Sequence, residues 1–200
     1  MTRWIENPEG GRDRGPRGLA RAWVEVLVRP RRFFRVGVAP GDQAPGLFFL
    51  MTVVLIAEST RYALVADAYP SLAVSPVLEA AFWLSLVVLL VAPLGLHLTS
   101  ALQTLVLIVL VEDRAGISET VQVIAYATAP CVVVGIPYPP LQAIASLYGA
   151  VLVVIGLSTV HGTSLFRAAI ASLVASTLVF GYGFGGFAAF EAVFTGVTDW

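Results

Sequence analysis

Apolar positions run along this chain in long blocks, and a few charged or proline-rich positions separate them. No charge occurs from Gln43 to Ala57, and apolar character resumes after Arg61. A bilayer core of about 30 Å takes roughly 20 apolar residues as helix, so a first span is predicted over about 44–66. Residues 80–111, between Glu79 and Glu112, are uncharged. As helix that stretch would measure about 48 Å, too long for one upright crossing and too short for two. Pro93 and Gly95 near its middle favour a bend, which predicts one long, bent second span over about 81–111.

The segment Glu112-Asp113-Arg114-Ala115-Gly116 reads as a polar turn. Ser118 is placed to cap the following helix, with Glu119 favourable in its first turn. A third span is predicted over about 119–136, containing Pro130. Pro137-Tyr138-Pro139-Pro140 is a hard break, and a fourth span follows over 141–160. His161-Gly162-Thr163-Ser164 forms a second turn before a fifth span over 165–190. Backbone amides in hydrocarbon must be paired within their own segment, and no short alternating barrel pattern occurs. The predicted class is an all-α, polytopic integral membrane protein with five transmembrane helices.

Ahead of the first span, Leu19, Ala22, Trp23, Val26 and Leu27 recur at helical spacing. Pro30 interrupts, and Phe33 and Phe34 follow among arginines. An apolar stripe beside a basic face predicts an interfacial amphipathic helix, with Trp23, Arg29, Arg31, Arg32, Phe33, Phe34 and Arg35 meeting the lipid surface. Residues 1–18, rich in Gly, Arg and Pro, are expected to be mobile. The predicted layout is a basic N-terminal region (1–42), a five-span membrane domain (43–191) and a short tail (192–200). No apolar core of a secretory signal precedes residue 44.

Composition sharpens this picture. Of 200 residues, 58% are hydrophobic and 12% charged, and mean hydropathy is +0.84. A soluble domain carries about 25% charge, so a water-soluble globule and a disordered chain are both excluded. The net charge is −1, but nine of the twelve arginines lie within the first 35 residues. Arginine near span ends favours the cytoplasmic side. The basic head and the turns at 112–118 and 161–164 are therefore expected on the cytoplasmic side of the cell membrane, with the C-terminus outside. The basic residues are few and adjoin a span, which argues against nucleic acid.

Chemistry-bearing residues are scarce. Glu58 and Arg61 share one helix face at i, i+3, either as a snorkelling pair near the outer interface or as a polar contact or ion path. In the second span His97, Ser100 and Thr104 share a face, beside Thr99 and Gln103. They serve helix packing or, alternatively, permeation or ligand binding. Gly181-Tyr182-Gly183-Phe184-Gly185-Gly186 spells G-x-G-x-x-G, yet it lies in an apolar span and lacks the strand that a dinucleotide site requires. Gly181 and Gly185 instead form a GxxxG face, and Ala145, Gly149 and Gly156 offer a comparable stripe in the fourth span. Lone Cys131 in apolar surroundings is expected to be inert. One Cys and two His argue against a metal site, and no hydrolase or ATPase motif occurs. No cofactor and no enzymatic activity are expected.

The order of several short motifs resembles the Yip1 family of membrane proteins. These are Val28-Arg29-Pro30-Arg31-Arg32-Phe33-Phe34, then Ala125-Tyr126-Ala127-Thr128-Ala129-Pro130, then Ile155-Gly156-Leu157 with His161-Gly162, and finally Arg167-Ala168-Ala169. The similarity covers roughly residues 27–187. It implies a cytoplasmic N-terminal region, five spans, and non-enzymatic roles in membrane organisation through partner membrane proteins and, in eukaryotes, small GTPases. The expected function is therefore a membrane scaffold that packs with lipids, with itself or with other membrane proteins. The alternative is a small transporter or channel built on the polar residues of spans 1 and 2.

Overall fold

The computed structural model describes residues 15–196, which are helices joined by short loops, with no strand among the described residues. The stretch before residue 15 and the tail positions from 197 on, including Asp199 and Trp200, lie outside the described residues. We label the helices α1 (Gly15–Val28), α2 (Pro30–Gly37), α3 (Ala44–Leu64) and α4 (Pro76–Leu110). After these come α5 (Ile117–Ala127), α6 (Pro139–Val160), α7 (Leu165–Ala171), α8 (Leu173–Gly183) and α9 (Gly186–Thr195). A 3₁₀ segment, Ala129–Val133, extends α5.

Prolines open α2, α3 and α6 in their first turns, where the missing N–H costs nothing. Ser75 caps α4 by accepting from the Leu78 N–H at 3.4 Å, and Ser164 caps α7 by accepting from the Arg167 N–H at 3.3 Å. Ser118 does not cap α5 as expected. That helix starts one residue earlier behind Gly116, and the Ser118 hydroxyl is buried without a partner.

The expected second span is one continuous helix of 35 residues, starting at Pro76. Ahead of Pro93 the turn Val87–Val91 is widened, with the Ala92 N–H bonding the Val87 carbonyl. A wider turn lets the carbonyl four residues back clear the proline ring. The expected fifth span is instead divided twice. α7 and α8 meet at a 44° bend, and α8 ends at an elbow where Gly185 takes a left-handed φ of 71°.

Every residue from Thr120 to Ala129 is buried. α5 is thus the axis, and the other helices surround it. α3 runs parallel to it: Gly46 lies against Gln122, and Gly135 lies against Ala57 and Arg61. α6 runs antiparallel, with Gly156 against Val123 and Cys131 beside the Ala145 carbonyl. α8 and the elbow run antiparallel to α6, with Gly149 against Phe180 and Gly186 against Ser146.

The N-terminal pair corrects one expectation. The amphipathic stripe of α1 exists, but it faces protein: Ala22 and Val26 are buried, and Leu19, Trp23 and Leu27 pack on the core. The Trp23 indole N–H donates to the Ala129 carbonyl at 3.0 Å, and the Tyr148 hydroxyl donates to the Leu27 carbonyl. Phe33 and Phe34 are each 1% exposed. Phe33 meets the Tyr126 ring edge-on at 4.8 Å, and Phe49 meets both Tyr126 and Trp23. Trp23, Phe33 and Phe34 are therefore interior residues rather than lipid-surface ones. Amphipathic spacing specifies an apolar face, and here α3, α5 and α6 supply its cover. Arg29, Arg31, Arg32 and Arg35 remain exposed, and Arg32 pairs with Glu25 at 2.7 Å. Exposed pairs of this kind contribute about 0–1 kcal/mol, so Glu25→Gln is expected to leave the melting temperature nearly unchanged.

Three helices are long and apolar enough to cross a membrane: α3, α4 and α6. Counting α7 and α8 as one broken span makes four. Among the described residues this is fewer than the five expected, because α5 with its 3₁₀ extension is too short to count as a full crossing.

Candidate functional site

The C-terminal half of α3 carries Glu58 and Arg61, one turn apart. They line a cleft of about 400 Å³ together with Asp67, Gln142 and the elbow residues Tyr182–Gly185. The elbow exists because the Phe184 N–H reaches back to the Val179 carbonyl at 2.8 Å and the Gly185 N–H to Tyr182 at 3.2 Å. Only glycine enters the left-handed conformation at Gly185 without strain. Beyond it, Gly186 approaches so closely that an added Cβ would lie 2.4 Å from the Phe180 carbonyl oxygen.

Glu58 does not pair with Arg61: no ion pair joins them among the described residues. Its carboxylate instead accepts from the Tyr69 hydroxyl. The Tyr69 ring stacks on Trp83 at 5.5 Å, and the Trp83 indole donates to the Pro70 carbonyl at 3.1 Å. Burial, then the adjacent carboxylate, pushes the Tyr69 phenol well above its usual pKa, so Tyr69 is a permanent donor to Glu58. The aromatic loop outside α3 thus holds Glu58 in place. No sequence spacing pointed to Tyr69, which lies eleven residues away. Beside the cleft, sharing Glu58 with it, lies an apolar cavity of about 180 Å³, lined by Leu50, Val54, Gly95, Leu96, Leu178 and Phe184 among others.

The polar residues of α4 do not converge on this cleft. His97 is exposed and bonds the Pro93 carbonyl at 2.7 Å and Gln43 at 3.2 Å. Ser100 is buried without a side-chain partner, and Thr104 donates to the Ser100 carbonyl at 2.7 Å. Gln103, fully buried, donates to the Ala171 carbonyl at 2.9 Å and accepts from the Ala175 N–H at 3.3 Å. An unbroken helix would pair those two backbone groups with each other. The carboxamide is inserted between them, which is a recognised cause of a kink and accounts for the α7–α8 bend. Gln103→Leu would strand both groups, each at about 1–3 kcal/mol. A clear fall in detergent melting temperature is expected, and an unchanged one would remove Gln103 from that role.

Two further glutamines do similar work. Gln122 donates to the Ala39 carbonyl at 2.7 Å and accepts from the Ala39 N–H at 3.0 Å. Gln142 donates to the Val134 and Ile136 carbonyls, both at 2.9 Å. Sequence reading missed both, since an isolated Gln in an apolar run carries no motif.

The small-residue positions fall in different settings. Ala145 is 4% exposed, and added Cβ atoms at Gly149 and Gly156 would strike Phe180 and Val123. Gly181 has the Phe187 ring at 2.4 Å from an added Cβ, whereas Gly185 has open space and serves the turn. Gly181 and Gly185 therefore do not share one helix face, because the elbow intervenes.

His161, at the end of α6, is 2% exposed, and its Nε2 lies 3.3 Å from the Thr120 hydroxyl. Burial, then the Arg114 charge, lowers its pKa to about 4. The folded state holds it neutral while the unfolded chain takes up a proton near the ordinary value of about 6.5. Its contribution to stability is present above about pH 6.5 and falls away as pH drops towards 4.

Apolar helices long enough to cross a bilayer, packed about a buried axis, define a multi-pass helical membrane protein. The profile of the Yip1 domain matches residues 24–187, and the chain belongs to the Yip1 family. No curated protein and no solved structure matches it.

Proposed function

We propose that this chain is a non-enzymatic membrane-organising scaffold with five crossings, its N-terminus cytoplasmic and its C-terminus outside the cell membrane. The alternation of directions supports the five crossings: α3 and α5 run parallel, and α6 runs antiparallel to both α5 and α8. In this reading α5 with its 3₁₀ extension is the third crossing, and α7 with α8 is the fifth. Cysteine labelling tests the orientation. In a Cys131→Ser background, Ser71→Cys is expected to react with an impermeant thiol reagent in intact cells, and Ala115→Cys only after permeabilisation. The reverse pattern overturns the assignment.

One observation carries the scaffold reading. The buried glutamines are spent on internal backbone groups, while α4 turns almost its whole apolar surface outward, with only 6% of its most apolar stretch buried. Such a surface suits lipid, a second copy or another membrane protein. Transport would need a polar path, and the cleft at Glu58 gives way to aliphatic side chains. Cross-linking in membranes, with identification by mass spectrometry, is expected to capture partners through α4. Ion flux in proteoliposomes that depends on Glu58 would favour transport instead.

A further inference from the structure

We infer that the cleft at Glu58 and Arg61, with the apolar cavity beneath it, is a binding site for one phospholipid bearing a zwitterionic, primary-amine headgroup. This goes beyond the scaffold reading and does not depend on it.

Three observations converge. The first is continuity: the polar cleft and the apolar cavity share Glu58, Gly183 and Phe184. A polar compartment of about 400 Å³ thus adjoins an apolar one of about 180 Å³, the amphipathic profile of a headgroup above a chain. The second is access. The apolar cavity is bounded by Val91 and Leu178, which are 52% and 39% exposed on the outside of the bundle. An acyl chain can therefore enter sideways from the bilayer.

The third observation is charge. The Arg61 guanidinium is exposed and has no hydrogen-bond or ion-pair partner among the described residues. A guanidinium fork matches phosphate oxygens. The same cleft carries two carboxylates, Glu58 and Asp67, and Tyr69 occupies one oxygen of Glu58. Asp67 sits in a left-handed conformation with φ 54°, which Asp tolerates better than most residues. One cation beside two carboxylates suits a ligand with one phosphate and one ammonium. It disfavours an anionic headgroup, which brings the carboxylates no cation. A quaternary ammonium has the charge but no N–H to donate. Glycine at position 95 leaves the cavity floor open, because an added Cβ there meets nothing within 4 Å.

The test uses the full chain, delipidated in mild detergent and titrated separately with phosphatidylethanolamine, phosphatidylcholine and phosphatidylglycerol of identical chains. Native mass spectrometry counts the bound lipid. Hydrogen bonds to charged groups contribute about 1.5–3 kcal/mol, and 1.4 kcal/mol is tenfold in affinity. One tightly bound phosphatidylethanolamine is therefore expected, at least about tenfold preferred over the other two. Asp67→Asn should erase the preference, whereas Arg61→Gln should weaken all three lipids, because each carries the phosphate. Gly95→Leu should fill the acyl cavity and weaken all three lipids alike. Because Leu is a far better helix former than Gly, this variant is expected to stay folded, as circular dichroism and melting would verify. Equal retention of all three lipids, preference for phosphatidylglycerol, a preference that survives Asp67→Asn, or binding undiminished by Arg61→Gln each overturns the inference.

Discussion

Gly135→Ala is expected to abolish the native fold, although it adds a single methyl group. An added Cβ would sit 2.0 Å from the Ala57 carbonyl oxygen, 2.8 Å from the Arg61 backbone nitrogen and 2.9 Å from the Thr60 Cβ. Two of these neighbours are backbone and cannot rotate away. Overpacking typically costs about 1–3 kcal/mol and more where nothing yields, so a loss at or above about 3 kcal/mol is expected. The companion variant Gly95→Ala meets open space on α4 and should be neutral or gain about 0.8–1 kcal/mol of helix propensity. Chemical denaturation in detergent, comparing the two, is the measurement. Equal behaviour would mean that α3 and the end of the α5 segment do not touch as described.

Phe33→Ala is the second large effect expected. A phenylalanine lying on a membrane surface could be truncated with little consequence for folding. Here the ring is enclosed, edge-on to Tyr126 at 4.8 Å and to Phe34 at 5.6 Å. Truncation of a buried aromatic costs about 3–5 kcal/mol. The variant should therefore melt far lower than wild type, whereas Arg31→Gln, exposed on the same short helix, should not. A Phe33→Ala protein of wild-type stability would return α1 and α2 to the lipid surface.

The two glycines and Phe33 show where sequence reading succeeds and where it stops. Breaks made by chain chemistry were legible: Pro139 and Pro140 open α6, and the turns at 112–116 and 161–164 fall where charge and Gly162 place them. The long second span was legible as one helix, because nothing in it is polar enough to leave hydrocarbon. What a face meets was not legible. Hydrophobic spacing is the same for a helix against lipid and a helix against protein, so Phe33 and Phe34 were assigned to the wrong neighbour. Glycine in an apolar run is equally silent: Gly185 turns the chain, Gly135 admits a carbonyl, and Gly95 leaves a cavity. At the candidate site Glu58 and Arg61 were visible as rare charges in a span. Their environment was not, because Tyr69, Asp67, Gln142 and the elbow come from distant parts of the chain.

The enclosure of residues 120–129 also bears on how the protein is made. As synthesis proceeds, this segment emerges after α3 and α4 but before α6, whose packing completes its surroundings. Gln122 rides on it, and its carboxamide is costly to leave facing hydrocarbon. A nascent chain that stops short of Pro139 therefore holds a stretch with no settled home among lipids. In the five-crossing reading, α5 is therefore expected to settle in the membrane together with α6.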